Sequence, residues 1–136
     1  MSINSRQKGA AYERQIAGRL LGLTGITFKR DLEQYRQGER GDLIPDDPKW
    51  PFILELKRYA KGNGCRPEWR RQACAAANAA GKFPCVIFKF DRMDDRVSVP
   101  VAAIASAFGE AEAPDDQWAE ITIEGLAYIA AEIMAR

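Results

Sequence analysis

The stretch GDLIPDDPKWPFILELK, residues 41–57, sets two apolar segments on either side of a turn carrying Pro45, Pro48 and Pro51. Proline lacks a backbone N–H and has a fixed φ, so three of them in seven residues forbid regular structure between the segments. Residues 42–44 therefore begin one strand and residues 52–59 form the next, with the chain reversed between them. Side chains alternate faces along a strand. Phe52, Leu54 and Leu56 share one face, and Ile53, Glu55 and Lys57 share the other. The plain reading of Glu55 and Lys57 is an edge strand with one solvated face and an ion pair worth ~0.2–1 kcal/mol. Asp42 supplies the other reading. It heads the preceding strand, and a hairpin would bring it beside Glu55. Two carboxylates held close repel, and one takes up a proton unless a cation lies between them. An Asp/Glu pair with a backbone carbonyl suits Mg²⁺, with water completing the octahedron.

Upstream, residues 6–23 have helical spacing: Tyr12, Ile16 and Leu20 recur every fourth residue, and Gly22 and Gly25 mark the exit. Glu13 falls in the middle of that apolar arc, with Gly9 one turn earlier leaving room beside it. A carboxylate on a buried face needs a partner. Either an arginine pairs with it, or it stands at the rim of a metal site.

Composition narrows the chemistry. The chain has 136 residues, enough for one domain with a core, and it contains no histidine. That excludes Ser-His-Asp and Cys-His catalysis and imidazole-ligated metals. Any metal site must be rich in oxygen donors, which selects Mg²⁺, Mn²⁺ or Ca²⁺. Cys65, Cys74 and Cys85 form no CxxC pair and read as reduced core thiols. No run of 18 apolar residues is present, and MSINSRQKGAAYERQ lacks the apolar core of a signal segment. A cytoplasmic protein without a membrane span is expected. Charge is uneven: residues 1–100 hold 19 Lys/Arg against 12 Asp/Glu, whereas residues 101–136 hold 1 against 7. A basic body with an acidic tail points to a polyanionic partner.

The rest of the chain reads as a strand at 26–31, a polar loop at 33–41, a helix from Pro67 to about Ala80 closed by Gly81, and a strand at 85–90. Beyond these come a strand at 97–101, an acidic loop at 109–117, a strand at 118–123 and a final helix at 124–135. Tyr12 and Trp69 read as core residues of their helices.

Three acids and a lysine, in this order on helix, strand and strand, resemble the PD-(D/E)XK nuclease superfamily, whose core is α-β-β-β-α-β. Gly41-Asp42 followed by Glu55-Leu56-Lys57 matches its motif. KGAAYERQIAGRL, RQGERGDL, ILELKRY and WRRQA are similar to segments of Holliday-junction resolvase-like enzymes and their phage-borne relatives. The resemblance covers about residues 6–91. No proline precedes Asp42, and residues 36–41 lack the serine of archaeal resolvases. The resemblance implies an α/β, restriction-endonuclease-like single domain over residues 1–136, with a C-terminal β/α appendage from about residue 97. It implies a Mg²⁺-dependent DNA endonuclease, with Mn²⁺ able to substitute and no small-molecule cofactor. Asp42, Glu55 and the Leu56 carbonyl would hold the ion, with Glu13 at its water shell. Lys57 would orient the attacking water or stabilise the developing charge, and Gln72 would position the water or a phosphate. Lys8, Arg30, Arg40, Arg58, Lys61, Arg70 and Arg71 flank these residues as candidate phosphate contacts.

Two other classes remain open on the residues alone. One is a nucleic-acid-binding module of the same fold without catalysis, the other an interaction protein whose acids form a structural ion network. The final helix, with Leu126, Ile129 and Ile133 on one face and Tyr128 off it, suggests either a cover for its own sheet or a homodimer contact.

Overall fold

The structure, a computed structural model, describes residues 5–32, 41–110, 112–114 and 116–136, and for residues 5–7 the backbone alone. The elements run α1 (Ser5–Thr24), β1 (Phe28–Arg30), β2 (Leu43–Pro45), β3 (Phe52–Tyr59), α2 (Pro67–Ala80), β4 (Phe83–Phe90), β5 (Arg96–Pro100), α3 (Val101–Ala107), β6 (Trp118–Ile121) and α4 (Ile123–Met134). The expected α-β-β-β-α-β order holds over the first six. The loop expected at 33–41 lies, apart from Gly41, outside the described residues.

Among the described residues, six strands form one sheet in chain order. The β3–β4 pair is parallel along its whole length, from Phe52↔Phe83 to Tyr59↔Phe90, and the other neighbours are antiparallel. A parallel pair needs a crossover, and α2 supplies it across one face of the sheet. Pro67 opens that helix and Gly81 closes it in the left-handed conformation at φ 68°. Ala73, Ala76 and Ala77 are buried against the sheet, so the small side chains let α2 lie close to β3 and β4.

The opposite face carries the main core. Tyr12, Ile16 and Leu20 of α1 pack on Leu54 and Leu56 of β3, Ile87 of β4, Val97 and Val99 of β5 and Leu126 of α4. Leu126, Ile123 and Ala130 of α4 are buried in that same cluster. The C-terminal β/α segment joins the core: β5 and β6 extend the sheet, and α3 and α4 pack in the layer that α1 begins. Tyr12 and Trp69 are each 3% exposed, core residues as expected.

Three local differences have local causes. Pro45 ends β2 instead of belonging to the turn, because the ladder to β1 passes through its neighbour Asp46, whose amide donates to the Thr27 carbonyl, and β2 pairs with β3 only at Leu43, so the missing N–H of Pro45 breaks no ladder bond. β4 begins at Phe83, carried along by its ladder to β3. Residues 101–107 form α3, a seven-residue helix too short to leave a periodic signature. Among the described residues no helix is long and apolar enough to cross a membrane.

Candidate functional site

The Gly41-Asp42 dipeptide works through its glycine. Gly41 has φ 75°, and a Cβ there would lie 2.7 Å from the Leu54 carbonyl oxygen and 2.9 Å from Cγ2 of Ile53. Only a residue without a side chain brings the backbone this close to β3. The Asp42 amide then donates to the Leu54 carbonyl at 2.7 Å, and the Leu56 amide donates to Oδ2 of Asp42 at 2.6 Å. The β2–β3 register pairs Leu43 with Leu54, so one step along it sets Asp42 opposite Glu55.

Both carboxylates are withdrawn from water, Asp42 at 6% and Glu55 at 4% exposed. Burial, followed by the charge of Asp42, pushes the Glu55 carboxyl up to about 8; Lys57 opposes this, while a hydrogen bond with Asp42 and the charge of Glu13 add to it. A carboxylate pair in this state holds a proton at neutral pH. A divalent cation is the other species that relieves the repulsion, and the hard oxygen donors of Asp42 and Glu55 suit Mg²⁺ or Mn²⁺. The pair fits the ion that the sequence implies.

Lys57 is next but one to Glu55 on the same strand face. Its Nζ donates to Oε1 of Gln72 at 2.7 Å, so β3 and α2 bring together the two residues singled out for water and phosphate. Glu13 has a different partner. Its Oε1 accepts from Nε of Arg30 at 2.8 Å, and its side chain is 19% exposed. Burial raises the Glu13 carboxyl; Arg30 pulls it down, and the charge of Asp42 pushes it up again. Glu13 thus shares an electrostatic field with Asp42 and Glu55 while its carboxylate is held by Arg30. Among the described residues no three carboxylate or thiol groups converge closely enough to cage a metal. The donors at hand are the Asp42–Glu55 pair and backbone carbonyl oxygen.

The basic candidates divide. Arg30 is committed to Glu13. Lys8 and Arg58 both bind Oδ1 of Asp91, at 3.4 and 2.7 Å, which holds the Asp91 carboxyl below its ordinary range. Arg70 lies over the Trp118 ring at 5.4 Å and reaches Oγ of Ser98 at 3.4 Å. Lys61 and Arg71 are exposed, and Arg40 lies outside the described residues. Sequence reading missed Asp91, which meets Lys8 from 83 residues away and leaves no local signal. It also missed the stacking of Tyr59 on Trp69, although one more step of the Glu55–Lys57 alternation puts Tyr59 on the same strand face. A cavity of about 500 Å³ between Trp50, Pro51, Lys82 and Phe83 lies at the start of β3, away from these acids.

A family model described as "Phage putative PDDEXK endonuclease" matches residues 4–128. Among solved structures, Hjc, a Holliday junction resolvase from Archaeoglobus fulgidus, is similar with a TM-score of 0.55 at 16% identity; the match covers 90% of this chain and 98% of that one. At that identity the likeness is one of fold. No curated protein matches the chain.

Proposed function

The chain belongs to the phage PDDEXK endonuclease family, and we propose that it hydrolyses phosphodiester bonds in branched DNA, such as a Holliday junction, in a Mg²⁺-dependent reaction. The observation that carries the reading is the buried pair of Asp42 and Glu55 with Lys57 beside it on one strand face. Similarity in fold to Hjc supports branched DNA as the substrate class. The protein acts in a cytoplasm and needs no small-molecule cofactor.

Asp42, Glu55 and the Leu56 carbonyl would hold Mg²⁺, or Mn²⁺ in its place, which when bound neutralises phosphate charge and eases deprotonation of the attacking water. The Leu56 amide keeps Asp42 aimed at that position. Lys57 meets developing negative charge as a point charge, and Gln72 holds its ammonium in place. The Glu13–Arg30 pair buttresses the acid side of the site. Exposed Lys61 and Arg71 contact phosphates on either side.

The test is cleavage of labelled duplex, flap, single-stranded and four-way DNA by the wild type and Glu55→Gln. Cleavage of the four-way substrate with Mg²⁺ and not with EDTA is expected, with a loss of at least ~100-fold in the variant. Cutting of plain duplex alone would remove the branched substrate. Binding without cutting would leave a DNA-binding module, and neither would leave the structural ion network that the Glu13–Arg30 contact favours.

Cutting both strands takes two sites, which a twofold homodimer provides. Tyr128 is 56% exposed, and Leu21 and Leu23 are 46% exposed, which is apolar surface for such a contact. Light scattering should give about twice the chain mass of 15.2 kDa; the single-chain mass, with and without DNA, would rule the dimer out.

A further inference from the structure

The face of β3 that carries Glu55 and Lys57 continues to Tyr59, the last residue of the strand. Helix α2 runs antiparallel to this face and answers it position by position. Ile53 packs on Ala76 and Ala77, Lys57 binds Gln72, and Tyr59 stacks on Trp69 with ring centroids 5.3 Å apart and planes 14° from parallel. Trp69 is fixed from behind by Phe88 and Phe90, at 6.0 and 6.1 Å, and is 3% exposed. Tyr59 is 39% exposed. The guanidinium of Arg66, at the N-terminal boundary of α2, lies 4.8 Å from the Tyr59 ring centre and 4.9 Å from that of Trp69.

A partly exposed aromatic ring at a strand end, held by a rigid buried indole and flanked by a cation, is a preorganised surface on which another planar group can stack. Its place in the fold indicates which. At ~3.3 Å per residue, Tyr59 stands ~13 Å along the strand from Glu55, about four steps of ~3.4 Å along a DNA strand. A ring can stack only on a base whose face is uncovered. Bases inside a duplex are covered by their neighbours; bases in a single-stranded segment or an opened branch point are not. Every base has such a face, so the contact reads strand structure instead of sequence. Arg66 adds a charge for the neighbouring phosphate and a cation–π contact to the rings.

We propose that Tyr59, backed by Trp69 and flanked by Arg66, is a stacking platform for an unpaired nucleobase of the DNA substrate, and gives the enzyme its preference for DNA with an unpaired segment beside the cleaved phosphate. The proposal rests on the DNA endonuclease reading and assigns the residues that discriminate between substrates.

The experiment measures binding in EDTA, where no cutting occurs, by fluorescence anisotropy on a forked oligonucleotide with a single-stranded arm and on a fully paired duplex of the same length. Tyr59→Ala should weaken fork binding roughly 5- to 150-fold, the worth of one base on an aromatic ring, and change duplex binding by no more than about twofold. Tyr59→Phe keeps the ring and should keep fork affinity. In the wild type, 2-aminopurine placed in the single-stranded arm should be quenched on binding, a readout that needs no variant to fold. Equal losses on fork and duplex, or unchanged fork affinity in Tyr59→Ala, or unquenched 2-aminopurine, each overturn the platform while leaving the nuclease intact. A wild type that binds and cuts no DNA removes the nuclease reading, and the platform with it.

Discussion

The amide of Leu56 donates to Oδ2 of Asp42 across 2.6 Å. This bond ties an acid from the edge of β2 to the middle of β3, opposite Glu55. The Asp42 carboxylate therefore cannot turn away from a like charge, and the repulsion persists until a proton or a cation relieves it.

Asp42→Asn should abolish Mg²⁺-dependent cleavage while keeping the fold, since an amide oxygen can still accept from Leu56. It also removes a charge that opposes ionisation of Glu55. In EDTA at pH 8 the variant should therefore melt no lower than the wild type. Normal cleavage by a folded Asp42→Asn protein would show that the site lies elsewhere.

Glu55 gives the stability of the protein a pH dependence. Its carboxyl is raised in the folded chain to about 8, above the ordinary value of 4.5. The metal-free protein is thus spared the cost of this charge below about pH 4.5, and loses stability as pH rises through about 8. Mg²⁺ bound at the proposed site would have to displace the shared proton, so its stabilising effect should be larger at pH 8.5 than at pH 6. Thermal melts with and without Mg²⁺ at the two pH values check this. An equal or larger gain at pH 6 would contradict the assignment of the pair as metal donors.

Gly41→Ala tests the local geometry that delivers Asp42. The new methyl would meet the Leu54 carbonyl at 2.7 Å on a backbone already at φ 75°. A loss of ~1–3 kcal/mol in urea unfolding is expected, with cleavage falling further than stability does because Asp42 shifts from its place. A variant as stable and active as the wild type would mean that this close approach is unimportant.

Lys57 and Gln72 separate chemistry from stability. Their contact lies at the surface, so Gln72→Ala should cost about 1 kcal/mol or less. It should lower kcat while leaving KM nearly unchanged if, as proposed, the lysine it frees meets charge in the transition state. Lys57→Ala should lose far more activity. Equal and small effects of both on kcat would assign the pair to packing.

Much of the local architecture was legible because it rests on short-range rules. The boundaries of β3 follow from the proline-rich turn before it and the alternation within it. Those of α2 follow from Pro67 and Gly81, whose backbone preferences act at the residue itself. Helix α3 escaped notice because seven residues rich in alanine complete too few turns to show a period. The continuity of β5 and β6 with the nuclease core escaped it too, since strand pairing is a relation between distant segments.

For the site, the sequence by itself determined the inventory: no histidine, two acids and a lysine on paired strands, and a third acid on an apolar helical arc. Only the tertiary structure decided their partners. Glu13 goes to Arg30, Lys57 to Gln72, Lys8 and Arg58 to Asp91, and Tyr59 to Trp69. The reason is physical. Propensity and periodicity act within one turn or one strand, whereas burial and charge pairing depend on which surfaces the sheet brings together. The raised carboxyl of Glu55 is of the second kind, since it comes from the desolvation and the facing charge that the folded sheet imposes.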